Sequence, residues 1–343
     1  MSAARPSISI VVPTFDRRAS LSRLLDALAT QSHPLDDIEV VVVDDGSSDG
    51  TPAMLRAARA PFVLRAMSQL HAGPAAARNL GVATATGSLI VFFDDDVVPA
   101  ADAIERHVIA HRVSRDAVVI GPMLPPKDWR RPAWIRWEEQ KLLAQYEAMR
   151  RGDYPCTPRQ LFTANASLPR ARFLETGGFD ASFSRAEDVE LGYRLEALGM
   201  SFVFDADARV WHYPERSFAS WRAVPYRYGQ ADVAMHRDKG HRALGHALEE
   251  FHRRNVLTRM VTRACVGHPA RERVVTSALA AVVSGADALR LGRLGGPALS
   301  AIFNVRYWEG VSDAIGGPAV VWDAVAARRS ALASAAVRGG SRT

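Results

Sequence analysis

The sequence predicts an α/β fold in which a mostly parallel sheet has helices on both faces and a mainly helical, basic C-terminal extension follows. Over the first hundred residues, apolar runs such as 38–43 alternate with segments whose apolar residues have helical spacing. The runs are nearly continuous in valine and isoleucine, which is typical of strands buried on both faces. Beyond about residue 235 the patterns are helical, amphipathic and basic.

The first element is a strand over "SISIVVPTF", and the next is a helix over "RRASLSRLLDALATQ" with four leucines at helical spacing. Strand and helix patterns then alternate; in order, they are a strand and polar turn at 38–50, a helix at 51–60, a strand at 61–68, an alanine-rich helix at 73–85 and a strand at 87–95. Further along we expect a helix over 134–149, a helix from about 187 to 198 and a strand over 201–204. We expect a catalytic domain at 1–235 and the helical extension at 236–343.

Charge and cysteine content narrow the class of protein. The two cysteines are far apart among 343 residues, which argues against a disulfide framework and fits a reducing, cytoplasmic compartment. Residues 236–343 hold 16 Lys and Arg against eight Asp and Glu, a net charge of +8, whereas residues 1–235 have a net charge of −2. This tail is a solvated surface, a peripheral contact with the inner face of an anionic membrane, or a patch for a phosphate-bearing acceptor. No nucleic-acid-binding motif is present.

Acidic residues follow three of the apolar runs. They are Asp16 after the first run, the pair Asp44 and Asp45 after the second, and Asp94, Asp95 and Asp96 after the last. Ligands of parallel sheets bind outside the carboxyl ends of the strands, so we expect these side chains on one rim. If the extended geometry continues, Asp94 and Asp96 point the same way and can bind one divalent cation. The alternative is an acidic loop that starts a helix.

Five segments in this order, "ISIVVPTFDR", "VVVDDGSSDGT", "GPAAARNLG", "VFFDDDVVP" and "GGFDASFSRAEDVELGYRL", closely resemble the family 2 glycosyltransferases with the GT-A (Rossmann-like) fold. The resemblance covers about residues 7–215. It implies an enzyme that moves a sugar from a nucleotide-sugar donor to an acceptor hydroxyl, with inversion and with Mn²⁺ or Mg²⁺ as cofactor.

The resemblance also implies roles for individual residues. The nucleotide and donor-binding set is Pro13, Thr14, Phe15, Asp16, Asp44, Asp45, Arg78, Asp94 and Asp95, with Asp45 favoured over Asp44 as the residue that contacts the base. The D-x-D element, Asp94 and Asp96, is implied as the metal site, together with His212. Glu187 and Asp188 correspond to the catalytic pair, in which the aspartate is the general base. Trp134, Trp137 and Trp211 are candidates for the acceptor side, although the alternative for the tryptophans is a packed core.

The sequence does not decide which donor nucleotide and which acceptor the protein uses. UDP-sugar is the default donor, with GDP and dTDP as alternatives, and the acceptor is sugar-bearing or lipid-linked, in cell-surface polysaccharide, glycolipid or secondary-metabolite glycoside synthesis. Two other functions compete: a sugar nucleotidyltransferase and a catalytically inactive nucleotide-sugar-binding protein. The first lacks support because no glycine-rich, basic triphosphate loop follows the first strand. The intact acidic motifs argue against the second.

Overall fold

A computed structural model describes residues 8–289 and 292–340, with side chains described for 8–289 and 295–330. The chain forms two compact units. The first comprises residues 8–130 and 139–215, and the second comprises residues 131–138 and 216–340. The division at 215/216 lies before the expected boundary at 235/236, because one continuous helix, Phe218–Lys239, crosses that position. Among the described residues, none of the helices has both the length and the apolar character needed to cross a membrane.

The first unit is built on a seven-stranded sheet. Its strands are β1 (Ile8–Thr14), β2 (Ile38–Asp44), β3 (Val63–Ser68), β4 (Leu89–Phe93), β6 (Ala117–Ile120), β8 (Asn165–Pro169) and β9 (Ser201–Phe204), in the spatial order β3-β2-β1-β4-β8-β6-β9. The pairs among β1 to β4 are parallel, as expected from the nearly continuous apolar runs of β1, β2 and β4. Only β8 runs antiparallel to its neighbours β4 and β6. The mostly parallel α/β sheet is therefore confirmed.

Helices cover both faces of this sheet. They are α1 (Arg18–Leu28), α2 (Thr51–Ala57), α3 (Pro74–Thr84), α4 (Ala103–Val113), α5 (Ala133–Arg150), α6 (Arg170–Glu175) and α7 (Glu187–Ala197). Alternate strand residues enter different cores: Val40 packs in the core that contains the leucines of α1, and Val41 in the core that contains Val82 of α3. This alternation explains why nearly every strand residue is apolar.

A small second sheet was not expected from the sequence. It consists of β5 (Val97–Pro99), β7 (Met123–Leu124) and β10 (Val210–His212), with β10 between the other two. β5 follows the three aspartates directly and pairs antiparallel with β10, with His212 opposite Val97. The register therefore brings the end of β10 next to the aspartate turn.

The second unit is helical, as expected for the C-terminal region. Its helices are α8 (Phe218–Lys239), α9 (Ala243–Arg253), α10 (Val256–Cys265), α11 (Pro269–Ala288), α12 (Gly292–Ile315) and α13 (Pro318–Gly340). Helices α8 and α12 approach closely where a Cβ on Gly229 would lie 2.1 Å from the Tyr307 carbonyl oxygen, and one on Gly310 would lie 1.9 Å from that of Tyr226. Only glycine fits at these two crossing positions.

Candidate active site

The carboxyl ends of β1, β2 and β4 bring most of the acidic motifs to one rim of the first unit. Thr14 is the register partner of Asp44 at the ends of β1 and β2. β4 ends at Phe93, one residue before the aspartate run. The expectation that the three motifs meet at one edge follows from these parallel pairings.

The three aspartates form a turn between β4 and β5 rather than an extended strand. The expected alternation of Asp94 and Asp96 therefore does not apply, and each aspartate has a different partner. Asp94 Oδ1 accepts a hydrogen bond from Arg78 Nη2 at 2.6 Å, and Asp95 Oδ2 accepts one from Thr14 Oγ1 at 2.7 Å. Asp96 lies between Arg17 and His212, with Oδ2 3.6 Å from Arg17 Nη1 and Oδ1 3.5 Å from His212 Nε2.

Burial raises the pKa of Asp95 to about 7, and the neighbouring Asp96 charge adds to the rise, while the Thr14 hydroxyl opposes it. The turn thus concentrates negative charge that protein groups neutralise only in part. Asp95, whose role the sequence explained least, anchors the turn to the end of β1 through Thr14.

Arg78 connects the aspartate turn to the start of α7. Its guanidinium donates to Asp94 and, through Nη1, to Glu187 Oε1 at 2.9 Å. Burial alone would lower the pKa of Arg78, but the Asp94 and Glu187 carboxylates raise it above the usual range. Arg78 is therefore a buried counterion to two carboxylates.

Asp188 lies in the first turn of α7, directly after Glu187. The preceding Ala186 has φ of 60°, a left-handed conformation that is rare without glycine. Asp188 keeps some exposed surface, yet burial raises its pKa well above that of an ordinary aspartate; Glu187 adds to the rise and Arg78 opposes it. A carboxylate at a helix start with a raised pKa has the properties of a general base.

The Asp45 carboxylate accepts hydrogen bonds from other residues of the chain. Its Oδ1 accepts hydrogen bonds from Gln69 Nε2 at 2.7 Å and the Ala72 amide at 2.9 Å, and its Oδ2 accepts one from the Gly73 amide at 2.9 Å. His71 Nδ1 lies 2.9 Å from the same Oδ2. Asp45 thus holds the loop before α3 in place, whereas the Asp44 side chain accepts a single hydrogen bond, from the Ser47 amide at 3.1 Å. The base contact expected for Asp45 stays a prediction.

The residues at the end of β1 and directly after it include contacts to neighbouring loops. Asp16 has φ of 51°, and its Oδ1 accepts hydrogen bonds from the Ser48 amide at 2.7 Å and the Asp49 amide at 3.2 Å. Pro13 is buried in the strand, whereas Phe15 is exposed and its ring centroid lies 4.2 Å from that of His71. The Phe15 and His71 rings form an accessible aromatic surface beside the Asp45 loop.

The residues at the turn fit a divalent cation that also takes ligands from a diphosphate. Asp96 and His212 supply an oxygen and a nitrogen side by side, and Asp94 lies two residues away. Within residues 8–289 and 292–340, no cluster of three or more His, Cys, Asp or Glu side chains is set up as a metal centre. Mg²⁺ at phosphate sites is usually held by only one or two carboxylates, with phosphates and water as the remaining ligands.

The three candidate tryptophans belong to different units of the chain. Trp134 and Trp137 belong to the second unit, where they pack with Trp221, Phe218 and Phe303, and Trp134 Nε1 donates to the Arg216 carbonyl at 3.1 Å. Trp211 lies half-buried in the middle of β10. The packing of Trp134 and Trp137 favours the core alternative, and the acceptor role of all three stays a prediction.

Three residues of the rim were missed from the sequence. Arg17 lies beside Asp96, and His71 lies beside Asp45. In the sequence the two residues stand close to the "PTF" and "GPAAARN" segments, and this proximity was the signal that could have identified them. Asn165 is fully buried behind the turn, where its Oδ1 accepts a hydrogen bond from His107 Nε2 at 3.0 Å and its Nδ2 donates to the Ala208 carbonyl at 2.7 Å. It thereby connects β8 to the segment that enters β10.

A mostly parallel sheet with acidic groups at its carboxyl rim defines the class of α/β proteins that bind ligands at that rim. Two sequence profiles match this chain: the one described as Glycosyl transferase family 2 over residues 9–163, and the one described as Glycosyl transferase family group 2 over residues 89–290. The chain belongs to the family 2 glycosyltransferases, as its motifs predicted.

The chain is also similar to individual curated proteins and to solved structures. Validoxylamine A glucosyltransferase from Streptomyces hygroscopicus is 34% identical over 232 residues, which are 59% of this chain and 54% of that protein. The chain thus spans about half the length of the curated relatives it matches. A mannosyltransferase from Pyrobaculum calidifontis in complex with GDP-Man and Mn²⁺ superposes with a TM-score of 0.57 at 22% identity, covering 90% of this chain and 88% of that one. TarS 1-349 from S. aureus in complex with UDP-GlcNAc gives 0.56 at 18%, covering 90% and 92%. These likenesses confirm the GT-A fold.

Proposed function

We propose that this protein is a glycosyltransferase that moves a sugar from a nucleotide-sugar donor to an acceptor hydroxyl. The observation that carries the proposal is the Arg78 bridge, which joins the aspartate turn to the helix start that bears Asp188. Leaving-group stabilisation and proton removal are the two tasks of sugar transfer. The bridge holds residues suited to each task in one framework.

On the donor side, Asp96, His212 and Asp94 are the residues that would hold Mn²⁺ or Mg²⁺. The metal, when bound, would offset negative charge on the diphosphate leaving group. Asp44, whose side chain accepts one internal hydrogen bond, and the exposed Phe15 ring are suited to the nucleoside. UDP is the default nucleotide; relatives of this fold are known with either GDP-Man or UDP-GlcNAc, so GDP is a real alternative, and dTDP remains open.

On the acceptor side, Asp188 would take the proton from the attacking hydroxyl. The carboxylate then ends as the acid, the new glycosidic bond forms as the bond to the diphosphate breaks, and the proton stays on Asp188 until solvent removes it. Attack opposite the leaving group inverts the anomeric centre. We propose a sugar-bearing or lipid-linked acceptor.

The test is a donor panel of UDP-, GDP- and dTDP-sugars with Mn²⁺, read by thermal shift and by release of nucleoside diphosphate. We expect one nucleotide class to raise the melting temperature, more strongly with Mn²⁺, and its sugar to be released or transferred only with Asp188 intact. Pyrophosphate release from a nucleoside triphosphate would instead indicate a nucleotidyltransferase. Binding without turnover for any donor and acceptor would indicate an inactive binding protein, and no stabilisation by any nucleotide would refute the proposal.

A further inference from the structure

Helix α10 in the second unit has its apolar side chains on the outside. Val256, Leu257 and Met260 are 61%, 69% and 62% exposed, while the buried positions of the same helix are Thr258, Thr262 and Cys265. A helix that serves only a protein core shows the opposite pattern. The outward apolar face of α10 therefore needs another explanation.

Arginines border this face. Arg259 and Arg263 lie on α10 itself, and among the described residues neither they nor Arg329 of α13 has a carboxylate partner. Between residues 253 and 289 the sequence has six arginines and only two acidic residues. Of those two, Glu272 is buried and Asp287 pairs with Arg136. The surface is consequently positive as well as apolar.

A groove between α10 and α13 combines both properties. It has a volume of about 660 Å³ and is lined by Val256, Met260 and Val325 together with Arg259, Arg263 and Arg329. The Arg263 guanidinium lies 5.4 Å from the centroid of the Trp322 ring. Cationic groups at the edge of an apolar groove match a lipid, whose phosphate is anionic and whose chains are apolar.

We propose that the surface formed by α10 and the α10–α13 groove docks on a membrane that contains anionic lipids. Val256, Leu257 and Met260 enter the boundary between headgroups and acyl chains, and Arg259, Arg263 and Arg329 contact lipid phosphates. Val274 on α11 and Leu289, directly after that helix, are likewise 71% and 70% exposed.

A membrane fits this surface better than a second copy of the chain. In a two-fold symmetric dimer the same patch faces itself, which would bring the unpaired arginines of both copies together. Anionic lipid neutralises these charges instead. Nucleic acid is also a poor match, because the exposed side chains at the centre are aliphatic and cannot stack on bases as aromatic residues do.

The test is sedimentation of the full chain with vesicles of phosphatidylcholine alone or with about 30% phosphatidylglycerol. We expect binding to the anionic vesicles only, weakened by salt. Each arginine near an anionic surface contributes about 1 kcal/mol, so Arg259→Gln with Arg263→Gln should weaken binding about 30-fold. Leu257→Gln with Met260→Gln should also reduce it. The matched controls in the first unit are Arg150→Gln with Arg151→Gln, and Val113→Gln; they should bind as the wild type does.

A second measurement does not depend on loss of binding. Leu257→Trp should gain fluorescence quenching by brominated lipids relative to wild type, whereas Val113→Trp, at another exposed position, should not. Unchanged melting temperatures would show that the variants fold. The proposal is overturned if the wild type ignores anionic vesicles, if the control arginine pair weakens binding as much as the α10 pair, or if Leu257→Gln with Met260→Gln converts a dimer to a monomer and leaves vesicle binding intact.

Discussion

Arg78 and Glu187 form a buried ion pair, 2.9 Å between Nη1 and Oε1, that joins the alanine-rich helix α3 to the first residue of α7. Arg78 is only 4% exposed and also contacts Asp94. The pair therefore holds the helix start that carries Asp188 in a fixed position relative to the aspartate turn.

Removal of the Arg78 guanidinium should destabilise the protein strongly. Arg78→Ala leaves two carboxylates without their counterion, and breaking a buried pair from one side costs about 3–5 kcal/mol. Arg78→Lys should cost less, since an ammonium group can retain one of the two contacts. Urea unfolding measures both, with exposed Arg115→Ala as the control. A loss below about 1 kcal/mol for Arg78→Ala would contradict the structural role.

Substitution of Asp188 should separate catalysis from donor binding. Asp188→Asn keeps the shape of the side chain but removes the proton acceptor, so transfer should fall about 10²–10⁴-fold. Affinity for the nucleoside diphosphate, measured by calorimetry, should stay within a few-fold of wild type. The exposed Asp207→Asn is the matched control. Transfer near the wild-type rate in Asp188→Asn would exclude Asp188 as the base.

Much of the fold could be predicted because β1, β2 and β4 are nearly continuous apolar runs, a pattern that depends on local sequence. The antiparallel β8, "NASLP", is short and half polar, and its Asn165 and Ser167 are buried only because His107 and His111 bond to them. The groups that donate hydrogen bonds to the Asp45 carboxylate lie 24 to 28 residues further along the chain. The "VVDDG" motif alone therefore could not predict these hydrogen bonds. The packing of Trp137 against Trp221 likewise depends on a distant helix.

Glu39 should make the stability depend on acid pH. Burial alone would raise its pKa, but hydrogen bonds from Ser9, Thr86 and Gly87 outweigh burial and lower the pKa from 4.5 to about 2. Because the folded-state pKa is depressed, the stabilisation is complete above pH 4.5 and is lost as the pH falls toward 2. It amounts to about 3 kcal/mol.

The measurement is the free energy of unfolding of wild type and Glu39→Gln between about pH 6 and pH 2.5. The difference between them should be largest near neutral pH and shrink as the pH falls below 4.5. The exposed Glu175→Gln is the control, and its difference from wild type should be small throughout. A Glu39→Gln difference that stays constant with pH would contradict the assignment.

Asn165 should be a positioning residue behind the site. Asn165→Ala leaves His107 Nε2 and the carbonyls of Pro122 and Ala208 without their amide partner. Unpaired buried groups cost about 1–3 kcal/mol each, so the free energy of unfolding should fall by at least about 2 kcal/mol. Because the affected segment leads into β10 and His212, Mn²⁺ affinity, read by calorimetry, should fall as well. An unchanged free energy of unfolding in Asn165→Ala would exclude the positioning role of Asn165.

Asp44 and Asp45 should respond differently to the same substitution. Asp45→Asn turns an acceptor toward the amides of the loop before α3 into a donor, which should lower the free energy of unfolding by about 2–3 kcal/mol. Asp44→Asn affects one internal side-chain hydrogen bond and should cost less stability, but should weaken nucleoside diphosphate binding about 10-fold or more. Each variant is the matched control of the other, and urea unfolding with calorimetry measures both quantities. If Asp45→Asn weakens nucleotide binding without a loss of stability while Asp44→Asn binds normally, Asp45 reads the base after all, and the loop contacts of Asp45 must open when the nucleotide enters.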